Sequence, residues 1–397
     1  LRQKGTFSSF IIRLAITATS LSVAVMIATI ALIIGFKYEI REKIFSFWGH
    51  VMVTPYVVNT ASLIAPDPIK YDEGLVQKIK SLPTVKSIAP WAARPGILQY
   101  NGSMEGIRLK GVNKDFHFSE RIQFIGGKID YNDTAYAKQI IVSQTTANRL
   151  RLIVGNYIQL YFLEPGSTSP RIRKVKVVGI YHTGMDEIDK DYALCDIRLL
   201  QRINNWKADE INGYQIDLKN ELVADSVAAQ IFYNYLQQPL TANTMKDIYA
   251  NIFDWLQLQD LNAELVIIIM AVVAIINLAV ALLILIVEQA RVVGLLKAMG
   301  MNETATRKIF LYYSAIIASF GIFVGNVLGL GICWLQQHFG FLKLNEATYY
   351  MSQVPVRING WYVLAIDVAT LLVCVLCMWL PSLYIRRIQP ARVLQFK

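Results

Sequence analysis

Four stretches of this chain are long and apolar enough to leave water entirely, and they limit what the rest can be. The first, Leu14–Phe36, holds no charged residue. The others run Ala263–Val287, Ile309–Trp334 and Trp361–Ile385, the last broken near its end by Pro381. About 20 apolar residues rising 1.5 Å each carry a helix across a hydrocarbon core of about 30 Å. Hydrophobic residues make up 54% of the chain and charged ones 17%, where soluble domains hold about 45–50% and 25%. The excess sits in the four blocks. Gly49–Asp260, by contrast, reads as an ordinary globular stretch of roughly 210 residues, enough to bury one core or two smaller ones. The expected fold is an α-helical membrane protein with four transmembrane helices and a large mixed α/β extracytoplasmic domain between helices 1 and 2. The first block is too long for a signal-peptide core and no small-residue cleavage site closes it, so it reads as a retained span.

The net charge of +10 has a distribution that sets a topology. Arg2, Lys4 and Arg13 precede the first block, Arg291, Lys297, Arg307 and Lys308 lie between the second and third, and Arg386, Arg387, Arg392 and Lys397 follow the fourth. Basic residues gathered at one side of the spans mark the cytoplasmic face. Both termini and the turn Glu288–Lys308 are then inside, and the large domain and a short loop, Gly340–Gly360, outside. No basic patch interleaved with aromatics suggests nucleic acid. The chain divides into an N-terminal segment, first span and stalk (1–48), an α/β domain (49–243), a stalk and second span (244–288), a cytoplasmic segment (289–308), a third span (309–337), a short outer loop (338–360) and a fourth span with its tail (361–397).

The helices extend past the bilayer. Phe36, Ile40, Ile44 and Phe47 continue the first at spacings of four, four and three, with Glu39, Arg41, Glu42 and Lys43 on other faces, the pattern of an amphipathic stalk. Ile248, Ile252, Trp255 and Gln259 do the same before the second, from Thr244 onward. In the outer domain Val51–Thr54, Ile107–Val112, Gln139–Val142, Tyr157–Leu163, Val175–Tyr181 and Tyr214–Leu218 read as strands. Leu75–Leu82, Ser143–Arg151 and Ala224–Leu236 read as helices, the second capped by Ser143. Gly166–Pro170 reads as a turn. In the third span Gly321, Gly325 and Gly329 recur every four residues, a spacing that lets another helix approach closely.

Little in the chain suggests chemistry of its own. It has no Gly-x-x-x-x-Gly-Lys-[Ser/Thr] phosphate loop, no nucleophile elbow and no His-Glu-x-x-His. His50, His117, His182 and His338 are scattered. Asp186, Glu187, Asp189 and Asp191 lack the glycine and distal glutamate of a calcium loop and read as a solvated turn. Cys374 and Cys377 have C-x-x-C spacing inside an apolar block and read as packing residues, and Cys195 alone leaves the outer domain without an internal disulfide. Asp367, inside the fourth block, reads as snorkelling or locally hydrogen-bonded, with a proton relay as the alternative. Neither catalysis nor a bound metal or cofactor is expected of this chain.

The segment Glu288–Met301 is too apolar at Val292, Val293, Leu295 and Leu296 for an exposed turn. It fits a groove of a partner or the membrane interface. Its pattern, Glu288-x-x-Arg291-x-x-Gly294-x-x-Lys297-Ala298-x-Gly300, resembles the cytoplasmic coupling segment of FtsX/MacB-type ABC transporter permeases, which share the four-helix layout. Closer still is the LolC/LolE lipoprotein-releasing branch. Gly35-Phe36, Glu39-Ile40-Arg41, Gly49-His50-Val51, Leu109-Lys110-Gly111-Val112, Val154-Gly155-Asn156, Val177-Val178-Gly179-Ile180 with Thr183-Gly184, Tyr349-Tyr350-Met351, Val354-Pro355-Val356, Pro381 and Pro390-Ala391-Arg392 resemble its motifs in order over nearly the whole length.

The resemblance implies a permease in the bacterial inner (cytoplasmic) membrane with its large domain periplasmic. Two permease subunits, identical or related, would join two copies of a separate ATPase that binds ATP and Mg. Acylated lipoproteins would be the cargo and a periplasmic lipoprotein carrier the acceptor. Glu288, Arg291, Gly294, Lys297 and Gly300 would couple to the ATPase. Because an acyl chain loses about 0.8 kcal/mol per CH₂ on leaving apolar surroundings, Ile30, Ile33, Phe36 and Ile40 of the first helix and Leu265 and Ile268 of the second are the expected substrate path. Leu163–Val175 is shorter than the projecting loop with which LolC-like subunits hold the carrier, which leaves carrier contact open. The alternatives are a MacB-like efflux or mechanotransmission permease and an FtsX-like regulator of a cell-wall hydrolase.

Overall fold

Helix α1 runs Phe7–Trp48 without interruption, because nothing between Leu14 and Trp48 breaks a helix except Gly35. The computed structural model describes residues 7–56, 67–114, 116, 122–132, 136–164, 169–345, 349 and 351–382. Arg2, Lys4, His117, residues 166–168 of the expected turn, Tyr350 and the tail from 383, with its basic residues, lie outside these, as do the side chains of Arg291, Lys297, Cys377 and Pro381.

After α1 the chain forms β1 (Val51–Pro55), β2 (Ile69–Lys70), α2 (Glu73–Lys80), β3 (Val85–Tyr100), β4 (Ser103–Val112), β5 (Gln123–Gly126), β6 (Gln139–Ser143), α3 (Gln144–Leu150), β7 (Tyr157–Phe162), β8 (Arg171–His182), α4 (Asp186–Asp191), β9 (Tyr192–Asp196), α5 (Ile197–Ile203), β10 (Glu210–Ile211), β11 (Gly213–Leu218), α6 (Ala224–Tyr235), β12 (Leu240–Thr244) and α7 (Met245–Ile248). Three long helices follow, α8 (Ala250–Glu288), α10 (Glu303–Phe339) and α11 (Gly360–Ser382), with the short α9 (Ala290–Ala298) between the first two. Local chemistry explains the starts. The Ser143 side chain accepts from the Thr146 N–H, as expected of a cap, and Asp72 and Asp196 cap α2 and α5. Thr244 and Asp247 form a reciprocal capping box at α7.

The chain divides into two compact units, one taking described residues up to Tyr38, from Asp254 to Lys343 and from Gln353 onward, the other Glu39–Phe253 and Leu344–Ser352. The divisions fall within α1 and α8 rather than at residues 48 and 244, because the last turns of α1 bury Ile40, Ile44, Phe45, Phe47 and Trp48 in the α/β unit.

The α/β unit is built on a ten-stranded sheet ordered β12-β1-β11-β3-β4-β9-β6-β8-β5, with β7 pairing both β3 and β8. The pairings β3–β4, β4–β9, β9–β6, β6–β8, β8–β7 and β7–β3 close a ring. The longest strand, β3, falls where the sequence analysis names no strand, and it carries Pro90, Pro95 and Gly96. In the structure Pro95 and Gly96 fall after β11 ends its pairing at Trp91 and before β7 begins at Ile97, where no strand among the described residues lies beside that edge of β3. Asn212 fills part of the gap by accepting from the Ala93 N–H at 2.7 Å. Alternation sends Leu98, Leu109, Ile140, Ile158, Leu160, Val175, Val177 and Cys195 into one core.

In the other unit Val23, Met26 and Ile27 of α1 meet Ile322 of α10 and Ile366 of α11. Leu278, Leu282 and Ile286 of α8 meet Val293 of α9, Phe310 and Ala318 of α10 and Cys374 of α11. Among the described residues, α1, α8 and α10 are long and apolar enough to cross a membrane, and Gly360–Leu376 of α11 forms a shorter apolar helix.

Candidate functional site

The two ends of the α/β unit's main segment, the exit of α1 and the entry of α7, meet at one place. The chain leaves α1 through Gly49 at φ 72°, where a Cβ would come within 2.9 Å of Asp217 Oδ1 and the Ile216 carbonyl, so the turn lies directly on β11. His50 follows. Its backbone carbonyl accepts from the Met245 N–H at the start of α7 (3.1 Å). Its Nδ1 accepts from the Leu218 N–H at 3.2 Å. Burial, assisted by the charge of Lys86, lowers its pKa from 6.5 to about 4, so the imidazole is neutral at physiological pH and its 3.9 Å approach to Asp217 is not an ion pair. Aromatic rings surround the joint: Phe45 stacks on His50, Phe47 meets Tyr181, and Trp48 meets Trp91 and Tyr192 edge-on.

Lys110 of β4 lies in the middle with no exposed surface. Its Nζ donates to the Phe47 carbonyl at 2.5 Å and to Gln215 Oε1 at 2.8 Å. Burial pushes its pKa well below the lysine range, and Asp217 pulls it upward. In the sequence Lys110 belongs to a strand motif without a role of its own, and the signal available is a cation between Leu109 and Gly111-Val112, two residues after Arg108.

The acidic turn is also more than a solvated loop. Asp189 is buried in α4 and accepts from Thr183 N, Thr183 Oγ1 (2.7 Å) and Gly184 N, tying down the Thr183-Gly184 turn. A carboxylate buried with three donors is stable where an unpaired one is not.

In the helical unit Gly321, Gly325 and Gly329 face α1. A Cβ at Gly325 would lie 2.7 Å from Val23 Cβ and 2.8 Å from the Ser20 carbonyl, and at Gly321 2.9 Å from Thr19 Cβ. The loop before α11 presses on α1 at Gly35, where a Cβ would come within 2.5 Å of the Pro355 carbonyl. The Arg357 N–H donates to the Ala31 carbonyl (3.0 Å), and its guanidinium lies 3.6 Å from the Tyr38 ring centre. Asn326 Nδ2 donates to Asp367 Oδ2 at 2.8 Å, the locally bonded arrangement among the alternatives for Asp367.

The expected path residues do not form one surface. Leu265 and Ile268 are open on α8, 59% and 51% exposed. Phe36 stands edge-on to Trp255 at 5.4 Å, Ile33 is half-buried and Ile30 packs into the α1–α10–α11 core. Ile40 has no exposed surface. It falls in the α/β unit rather than the helical one, with its side chain sealed from solvent. Between α1, α8 and α11 lies an apolar cavity of about 80 Å³ lined by Met26, Ile267, Ile366 and Val373 among others.

In the coupling segment, Glu288 ends α8 and Gly294 is buried within α9, while Gly300, at φ 87°, turns the chain toward α10. Arg291 and Lys297 lie on α9. Val293 anchors the helix in the α8–α10 core, leaving Val292, Leu295 and Met299 50%, 53% and 77% exposed. Among the described residues no cluster of His, Cys, Asp and Glu could hold a metal ion.

Residues 14–231 match the family described as MacB-like periplasmic core domain, more than half of the chain, and residues 264–390 match the FtsX-like permease C-terminal family. The lipoprotein-releasing system transmembrane protein LolE of Haemophilus influenzae is 21% identical over 412 residues, covering 99% of this chain and 96% of that protein. LolC of Neisseria meningitidis serogroup B is 21% identical over 422 residues, covering 100% and 96%. LolC of Xylella fastidiosa is 22% identical over 418 residues with the same coverage. Among solved structures, the extracellular domain of the noncanonic ABC-type transporter YknZ from Gram-positive bacteria aligns over 49% of this chain and 100% of its own at 14% identity, TM-score 0.34. The periplasmic region of MacB from Actinobacillus actinomycetemcomitans aligns over 52% and 95% at 11% identity, TM-score 0.36.

Proposed function

We propose, for a chain that belongs to the family of permeases joining a MacB-like periplasmic core to an FtsX-like C-terminal unit, that its cargo is acylated lipoprotein. The chain is an ABC transporter permease of the inner membrane with a periplasmic domain. The finer reading is that it draws lipoproteins out of the membrane toward a periplasmic carrier. Two copies of a separate ATPase would drive it, binding ATP and Mg, and a second permease subunit would complete the pathway. Relatives named for lipoprotein release match along almost their whole length, which favours this cargo over another substrate.

The observation that carries the reading is the open flank of α8. Leu261, Leu265, Ile268 and Val272 recur at spacings of four, three and four and are all exposed, so one helix face is left uncovered by the chain's own packing. An acyl anchor moving along such a face keeps its methylenes, about 0.8 kcal/mol each, out of water. ATP-driven closure of the ATPase pair would move α9, whose Val292, Leu295 and Met299 offer an apolar surface to a groove in that partner. Glu288, Arg291, Gly294, Lys297 and Gly300 would set its fit. Chemistry would be left to the ATPase, and this chain would act mechanically through α1 and α8.

A photo-crosslinking residue at Ile268 should capture a triacylated lipoprotein in cells, and ATP with carrier should lower the yield in isolated membranes. Crosslinks to lipid alone at both Ile268 and Leu265, together with co-purification of a cell-wall hydrolase, would replace transport with regulation.

A further inference from the structure

A helix of 42 residues, Phe7–Trp48, ends inside the α/β unit, and its end presents the difficulty of every helix C-terminus: the last four carbonyls have no partner within the helix. Gly49 resolves one, its N–H donating to the Phe45 carbonyl at 2.8 Å. The Phe47 carbonyl is met differently, by the ammonium of Lys110 from β4 at 2.5 Å. The same ammonium donates to Gln215 of β11 at 2.8 Å. In the sheet β3 stands between β4 and β11, so one side chain ties the helix end to two strands that are not neighbours. The ring centres of Trp48, Phe47 and Phe116 lie 4.1, 4.6 and 4.7 Å from Nζ. Two acceptors and three ring faces form a cage suited to a cation, at the helix end where a cation is favoured.

Such a group is an expensive way to gain stability. Taking an ammonium out of water costs several kcal/mol, and a buried polar arrangement is often matched or bettered by an apolar residue of similar volume. What the lysine supplies and a methionine would not is direction. Its bonds hold the final turn of α1 in one position over the sheet, where a purely apolar contact would tolerate sliding.

Resting on the reading of this chain as an ABC transporter permease, we propose that Lys110 is the positioning residue that locks the last turn of α1 to β4 and β11, so that displacement along α1 reaches the sheet of the outer domain. Phe47 and Trp48 form the walls of the lock, Gln215 its second anchor, and Gly49 the turn that brings the helix end onto β11.

The test uses the full-length permease assembled with its cognate ATPase in nanodiscs, read by hydrogen exchange with and without ATP. In the wild type, ATP should change exchange in β1, β4 and β11. In Lys110→Met the ATPase should turn over within about twofold of wild type, and amides of Phe47–Gly49 should exchange about tenfold faster, the effect of one lost net hydrogen bond. The ATP-linked difference in the strands should disappear while the exchange of β6 and β8 stays unchanged. A merely structural role would lower protection throughout the domain or nowhere. If Lys110→Met keeps the ATP-linked difference, or if wild-type turnover produces none, the proposal is overturned. Should Lys110→Met fail to assemble, Gln215→Leu keeps the ammonium and removes one acceptor, and an undiminished ATP-linked difference there overturns it equally. Release of lipoprotein is measured separately, so a different cargo leaves the lock standing. Failure of the wild type to bind any ATPase removes both the transporter reading and the lock.

Discussion

His50 shows how a single residue can report on the joint it occupies. Its Nδ1 accepts a backbone N–H, so protonation would break that bond and place a charge in a buried site. With a pKa of about 4 in the folded chain against 6.5 unfolded, the unfolded state binds the proton first as pH falls. The contribution of the neutral ring is therefore complete above pH 6.5 and is lost between 6.5 and about 4, amounting to on the order of 3 kcal/mol. His50→Asn keeps an acceptor at the Nδ1 position without a titrating group. Thermal unfolding of the full-length protein in detergent across that window should fall more steeply for wild type than for His50→Asn, and parallel curves would refute the assignment.

At the level of elements, the contact of α10 with α1 rests on small residues, because lipid tails offer helices no hydrophobic reason to associate and close packing must supply the attraction. Gly325 is the tightest point of the stripe, facing Val23 and the Ser20 carbonyl, whereas Gly331 on the same helix has no heavy atom within 4 Å of its would-be Cβ. Gly325→Ala should force the helices apart and cost about 1–3 kcal/mol. Gly331→Ala should be neutral or gain up to about 0.8 kcal/mol from helix propensity. Melting of the purified protein in one detergent decides it, and equal effects of the two substitutions would mean that the stripe is not an interface.

For the whole molecule, the basic flanks of the apolar blocks predict a sidedness. A cysteine replacing Ser103 at the β3–β4 hairpin, which is exposed, should react with an impermeant thiol reagent added to spheroplasts. One replacing Met299 beyond α9 should react only after the membrane is opened. Cys195, Cys333 and Cys374 are buried and Cys377 is first replaced by serine, which keeps the background low, and the reverse pattern would invert the topology. The MacB-like periplasmic core sets the expected side of Ser103, and the positive-inside bias sets that of Met299.

What the sequence by itself determined is what adds up along contiguous residues. Transfer of an apolar block into lipid is a sum over neighbours, so the long helices and their continuation as stalks were legible, as were the Ser143 cap and most strands of period two. Motif order pointed to the family for the same reason, since each motif is a local string. The tertiary structure decided whatever depends on partners distant in the chain. Lys110 is an ordinary lysine in a strand until Phe47, 63 residues away, and Gln215, 105 residues away, surround it. Pro95 and Gly96 are accommodated in β3 because β11 and β7 leave a gap beside them. Ile40 and Ile268 look alike as isoleucines at helical spacing, yet one is sealed inside the α/β unit and the other lies open on α8. Hydrophobicity measures the tendency to be buried, and only the packing of the folded chain says against what.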